Sequence, residues 1–274
     1  MRRLREEVSL AAIHYDAEEL TVIRRRLKRA ARALSHLRDA DVGQRLLQNV
    51  TAKVSPDPAV VSRLVETLKQ DREAAFRKAL KTLEKLKVHS LKKDVLSARR
   101  RVRRQSARIR SSFRNHLASR ATDVRFAMER AGGVYFPNRL HSARIAIKRL
   151  RYAIELADGM DFVRPAGALG PLKKAQELLG EAHDREVLAG VLLQSPTNSS
   201  DSAADVARLA QAVRAEIREL HQRYLGLRPE IIAVCDACET VAPQRPIRRA
   251  LMAAGIAVPS LMLLRVGLGQ RRAA

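Results

Sequence analysis

The chain has 274 residues, enough for one large domain or two small ones, and 46% of them are hydrophobic, which excludes a disordered basic tail. Lys and Arg number 53 against 29 Asp and Glu, a formal net charge of +24 at pH 7. Self-repulsion on that scale calls for a polyanionic partner, whether nucleic acid, an anionic membrane surface or a phosphate polymer. Aromatic residues make up only 3%, with no Trp, which argues against a single-strand binder built on base stacking.

The opening MRRLREEVSL is charged and lacks the apolar core of a secretory signal. A first helix is predicted from the start to about Ile13, and a second from about Glu18 to Asn49. Ser55-Pro56-Asp57-Pro58 breaks the pattern. From Ala59 to about Lys87 an amphipathic repeat runs through Val61, Leu64, Leu68, Phe76, Leu80 and Leu83. A long helix is predicted from about Leu91 to Arg130. Between Val95 and Thr122 it carries nine arginines and no acid, so no carboxylate offsets them one turn away. That run reads equally as a polyanion contact or as a solvated face. Gly132-Gly133 through Asn138 marks the best internal boundary.

The stretch His141 to Glu155, HSARIAIKRLRYAIE, has no Pro or Gly and is rich in helix formers. At about 100° per residue, His141, Arg144, Lys148, Arg151, Tyr152 and Glu155 share an arc of roughly 100°. Ala143, Ala146, Ile147, Leu150, Ala153 and Ile154 take the opposite side. One face therefore belongs against other helices, while the other gathers cations that suit a polyanion. Arg149 falls off that arc. Tyr152 reads either as a cap on the core edge or as a hydroxyl donor.

A loop is expected from Asp158 to Gly170, then a helix begun by Pro171 and ending near Leu193. Ser195 to Asp205 reads as a polar linker. Two further helices follow, Val206 to about Leu225 and Pro229 to Val241. Cys235 and Cys238 are the only cysteines. Without a second pair or a βαβ context, their C-x-x-C spacing reads as a buried small-residue seam rather than a metal or redox site. So little cysteine fits a reducing cytoplasm. Ala250 to Leu264 is uncharged, but it is broken by Gly255 and Pro259 and falls short of the ~20 residues that span a bilayer. A docking helix or surface-associated tail is the expectation, with membrane contact the lesser one. No strand pattern is present, so the fold class is all-α.

The two halves resemble each other. With a constant offset of 145 residues, Leu172, Lys173, Lys174, Ala175, Leu179, Asp184 and Val187 fall on Leu27, Lys28, Arg29, Ala30, Leu34, Asp39 and Val42. Upstream, an offset of 146 sets Lys148-Arg149-Leu150-Arg151 over Arg2-Arg3-Leu4-Arg5. Two four-helix bundles with long helices, related by a pseudo-twofold axis, follow from such a repeat. His183 falls on Arg38. Arg has no acceptor and cannot replace a metal ligand, but it can replace a phosphate donor. The demand common to both halves is positive charge.

His141-x-x-Arg144-x-x-x-Lys148-Arg149-Leu150-Arg151-Tyr152, followed by Leu179-Gly180-x-x-His183-Asp184, closely resembles the CHAD domain, the conserved histidine α-helical domain. The repeat extends the resemblance over about residues 1 to 245. It implies two helical bundles, 1–132 with its opening turn missing and 133–246, before a tail at 247–274. It also implies a basic groove that binds inorganic polyphosphate, with association to polyphosphate granules. The residues assigned to that groove are His141, Arg144, Lys148, Arg149, Arg151, Tyr152, Lys174 and His183 from the second half. From the first half they are Arg2, Arg5, Lys28, Arg29 and Arg38. Asp184 is expected to orient a neighbouring cation.

Phosphoryl chemistry would require carboxylates around Mg²⁺ or a Gly-rich phosphate loop, and neither pattern appears. A non-catalytic binder with no cofactor or metal is therefore the expectation. Nucleic-acid binding through the Arg99–Arg120 helix is the alternative, and a metal-dependent polyphosphatase the third reading.

Overall fold

The computed structural model describes residues 18–103, 106–158, 167–195 and 200–240, together with Val8. Arg2, Arg5, nearly all of the predicted first helix and the Ala250–Leu264 tail lie outside the described residues. Every described element is a helix: α1 (Glu18–Val54), α2 (Pro58–Lys85), α3 (Val88–Arg103), α4 (Ser106–Ala131), α5 (Pro137–Asp158), α6 (Leu169–Gln194), α7 (Ser200–Gly226) and α8 (Arg228–Thr240). The protein is all-α.

Helix ends follow local chemistry. Asp57 caps α2, its Oδ1 accepting the Ala59 N–H at 2.7 Å, with Pro58 in the first turn where no intrahelical donor is needed. Gly132, at φ +60°, closes α4 with its N–H shared between the Met128 and Glu129 carbonyls. α1 runs five residues past the predicted Asn49, because Val50 is buried and Ser55, at φ 50°, is where the chain leaves the helix. α6 begins at Leu169 rather than Pro171, since proline is tolerated in the first turn.

One predicted segment turns out differently, and another is described in two parts. Of the helix predicted from Leu91 to Arg130, residues 104 and 105 lie outside the described residues, and the parts on either side, α3 and α4, serve different cores. Leu91 of α3 joins Leu20, Ile23 and Leu27 of α1. Leu117, Ala121, Val124 and Met128 of α4 pack instead with α5 and α8. The supposed linker Ser195–Asp205 is helical from Ser200 onward. Asp205 is buried there and accepts the Asp57 N–H at 2.7 Å as well as the Arg208 guanidinium, so polar composition hid a packed helix start.

The two larger cores draw helices from both sides of residue 132. One contains the apolar faces of α4, α5 and α8 with the first half of α6 (Leu172 to Ala182) and the end of α7. The other contains the end of α1, the start of α2, Leu188 to Leu192 of α6, and Leu209 to Ile217 of α7. α6 and α7 are thus common members of both. Burying a Leu or Ile side chain contributes roughly 1.5–3 kcal/mol, so these stripes dominate the packing. Cys235 and Cys238 are free and fully buried in the first core, where desolvation pushes both thiols up to about 12.

Glu216 of α7 ties the shared helices to α1. It accepts from Lys53 and from Arg185, each at 2.6 Å. Burial works against its charge, but these two cations outweigh burial and hold the carboxyl below its ordinary value.

Candidate functional site

α5 turns its apolar side into the core as its sequence requires: Ala143, Ile147, Leu150, Ala153 and Ile154 are fully buried. The opposite face looks across to α6. There the His141 and His183 rings lie 5.2 Å apart between centroids, tilted by 48°. Arg144 reaches from α5 onto α6 at Gly180, where a β-carbon would stand 3.9 Å from its Nε and Nη2. The motif glycine therefore leaves open the surface on which this guanidinium rests.

α1 completes the cluster. Arg38 Nη2 donates to Asp184 Oδ2 at 3.1 Å, so Asp184 does orient a cation. Asp39, beside Arg38, acts on His183 together with Asp184. His183 is nevertheless held below the ordinary histidine value, by burial first and then by Arg144, with Arg38 adding to the effect and the two aspartates opposing it. His141 is exposed overall, yet its ring leans on His183. That partial desolvation, then His183, Arg144 and Lys148, lowers it as well. The cluster is thus short of negative charge, and its imidazoles are biased toward the neutral form.

A cleft of about 390 Å³ opens beside the two histidines, walled by Tyr135, Asn138 and Glu186. The Tyr135 hydroxyl donates to the Glu186 carboxylate, and burial followed by that bond raises the phenol far above its usual range. The sequence pattern did not reveal this wall. Tyr135 sits in the boundary loop and Glu186 lies two residues past the motif, so neither belongs to a helical face that could be read alone.

Other assigned residues occupy different surroundings. Arg151 pairs with Glu155 at 3.1 Å and lies over the Tyr152 ring at 4.5 Å. Tyr152 is largely buried, as a residue at the core edge is. Lys148 is half-buried beside His141, while Arg149, Lys28 and Lys174 are exposed. Arg29 lines the groove between α1 and α2 instead. In the arginine run, Arg120 pairs with Asp123 at 3.1 Å, and Arg100 and Arg114 are exposed. The side chains of Arg99, Arg101, Arg103, Arg104, Arg108 and Arg110 lie outside the described residues. Among the described residues no three His, Cys, Asp or Glu side chains converge to hold a metal ion, and no helix is long and apolar enough to cross a membrane.

An all-α chain whose histidine pair meets across two helices, with arginines of α5 and α1 beside it, defines the class. A family model for the CHAD domain matches residues 1–193, and the chain belongs to the CHAD domain family. That family is associated with polyphosphate binding and metabolism. The match ends within α6, short of α7 and α8, although both of those helices contribute to the cores. No curated protein and no solved structure matches the chain.

Proposed function

We propose that this protein binds inorganic polyphosphate at the α5–α6 face without altering it chemically, and that it works in the cytoplasm at polyphosphate granules. The observation that carries this reading is the His141–His183 pair, 5.2 Å apart and set among Arg144, Lys148 and Arg38. Several cationic donors converge on this one face, an arrangement that suits a multiply charged anion. Arg and Lys bind successive phosphates, and release of condensed counterions supplies much of the free energy. A flexible phosphate chain needs no base readout, which suits a site without exposed aromatic platforms. The nearby carboxylates hold partners of their own, Asp184 with Arg38 and Glu186 with Tyr135, which favours a structural role for them over a catalytic one.

The test is a titration of the full chain with labelled long-chain polyphosphate at several salt concentrations, with duplex DNA as competitor. Tight, strongly salt-dependent binding that DNA fails to displace at equal phosphate concentration is expected. Displacement by DNA would overturn the ligand assignment. Phosphate release with Mg²⁺ or Mn²⁺ that vanishes in His141→Ala would overturn the binder-only mechanism.

A further inference from the structure

The α1–α2 hairpin carries a second basic feature that the site above does not use. Two adjoining cavities of about 500 and 260 Å³ lie in the valley between these helices and share Arg29, Lys78 and Thr82 in their walls. Arg29, Arg32, Arg77, Lys78, Lys81 and Lys85 rim them, all exposed. No carboxylate contributes to either wall. The α2 acids nearest the rim, Glu73 and Glu84, are exposed but line neither cavity, while Asp41 holds Arg72 and Asp94 holds Arg26, each at 2.6 Å. None of the six rim cations makes an ion pair among the described residues.

The valley stays open for a reason that the sequence supplies. Its floor is Ala33 of α1 with Ala74 and Ala75 of α2, side chains too small to fill the space between two helices. Long cations on both rims then project over an unfilled channel. From Ala74 to Lys85 the channel follows about 16 Å of helix. Six cations packed along that length repel one another unless an anion lies between them.

The geometry points to this α1–α2 valley as a second polyphosphate-binding site, so that one protein molecule holds two phosphate chains, or two stretches of one chain. The inference rests on the polyphosphate reading of the α5–α6 face for the identity of the polymer, but not for the existence of the groove. The shape favours a thin, flexible phosphate chain. A rigid duplex cannot enter a valley between two packed helices, and the walls carry a single ring, His36, and no amide for base readout. Arg38, at the first site, lies about 13 Å further along α1 than Arg29, and no residue lines both places.

The consequence is bridging. A protein with one site decorates a polyphosphate chain, whereas a protein with two sites cross-links chains and gathers them into a dense phase. The test uses calorimetry of the full chain with tripolyphosphate, short enough to occupy one groove, and light scattering with long-chain polyphosphate. Two tripolyphosphates per wild-type chain are expected, and one per chain for the Arg77→Gln/Lys78→Gln/Lys81→Gln variant and for the Arg144→Gln/Lys148→Gln variant. Long chains should condense with wild type and stay dispersed with the α2 variant, whose circular dichroism should match wild type. One tripolyphosphate per wild-type chain, untouched by the α2 changes and lost in the α5 variant, would overturn the second site and leave the first standing. The converse, with the α5 variant still binding as wild type does, would support the valley and overturn the α5–α6 reading. No tripolyphosphate binding at all, or α2-sensitive binding of duplex DNA alone, would overturn the valley assignment, and the former would take the first site with it.

Discussion

Acidification separates the histidine pair from the surrounding cations as a source of binding. His141 and His183 are both held below the ordinary histidine value of about 6.5, by burial first and by neighbouring positive charge second. A bound polyphosphate reverses the second cause and favours the charged rings, so binding must take up protons. Two charged rings 5.2 Å apart repel by about 1–3 kcal/mol for effective dielectrics between water and a protein surface. The pair therefore behaves as one coupled unit that takes up about one proton rather than two. Affinity should rise as the pH falls from about 7.5 to 6, by up to about tenfold per pH unit. Long chains are the right probe, because their interior phosphates stay ionised throughout. Titrations in buffers of different ionisation enthalpy count the protons directly. The free protein should show the opposite trend: its unfolded chain protonates first, so stability is full above about 6.5 and falls as the pH drops through the folded values. A proton count of zero, with pH-independent affinity, would refute the linkage of these imidazoles to the ligand.

Four further outcomes follow from the structure. Lys148→Ala should weaken polyphosphate binding and reduce the salt slope by roughly 0.7–0.9 without lowering the melting temperature, as expected for one lost phosphate contact. Arg151→Ala should do the reverse, costing stability because it removes the Glu155 pair and the cover over Tyr152, while the salt slope barely moves. Gly180→Ala should be accepted, since a β-carbon 3.9 Å from Arg144 makes ordinary contact and alanine gains about 1 kcal/mol of helix propensity, read as a raised melting temperature with unchanged affinity; Gly180→Leu should displace Arg144 and weaken binding. Glu216→Gln should destabilise the fold by about 1–2 kcal/mol in urea melts, because Lys53 and Arg185 both lose a charged acceptor.

The sequence revealed what periodicity can express. The sidedness of α5 is the clearest case, since every residue assigned to its apolar face is wholly or largely buried there. The Arg38–Asp184 bond was half legible: the motif pointed to Asp184 as a cation-orienting group, and the repeat singled out Arg38, but neither named the other as its partner. That α3 and α4 serve different cores was hidden, because both carry strong helix formers and nothing in their periodicity distinguishes them. The helical start of α7 was hidden by composition. Ser and Asp near a linker signal a loop, and the burial of Asp205 depends on an N–H donated from Asp57, far away in the chain. The basic valley of α1 and α2 was also out of reach. The sequence assigned Arg29 to the groove of the repeat, and Lys78 looks like an ordinary solvated charge until the hairpin sets the two helices side by side across a floor of alanines.

Consider finally α6 and α7, whose two ends belong to different cores. A chain divided at its midpoint into independent bundles would melt in two stages, each half at its own temperature. Here neither core can dissolve without stripping the apolar stripe from a rod that the other still grips. Leu172 and Leu192 are buried at opposite ends of one continuous helix, which gives them a common fate. Heat should meet this protein as a single indivisible object, and a ligand seated on α5 and α6 should steady α1 and α2 as firmly as it steadies the helices it touches.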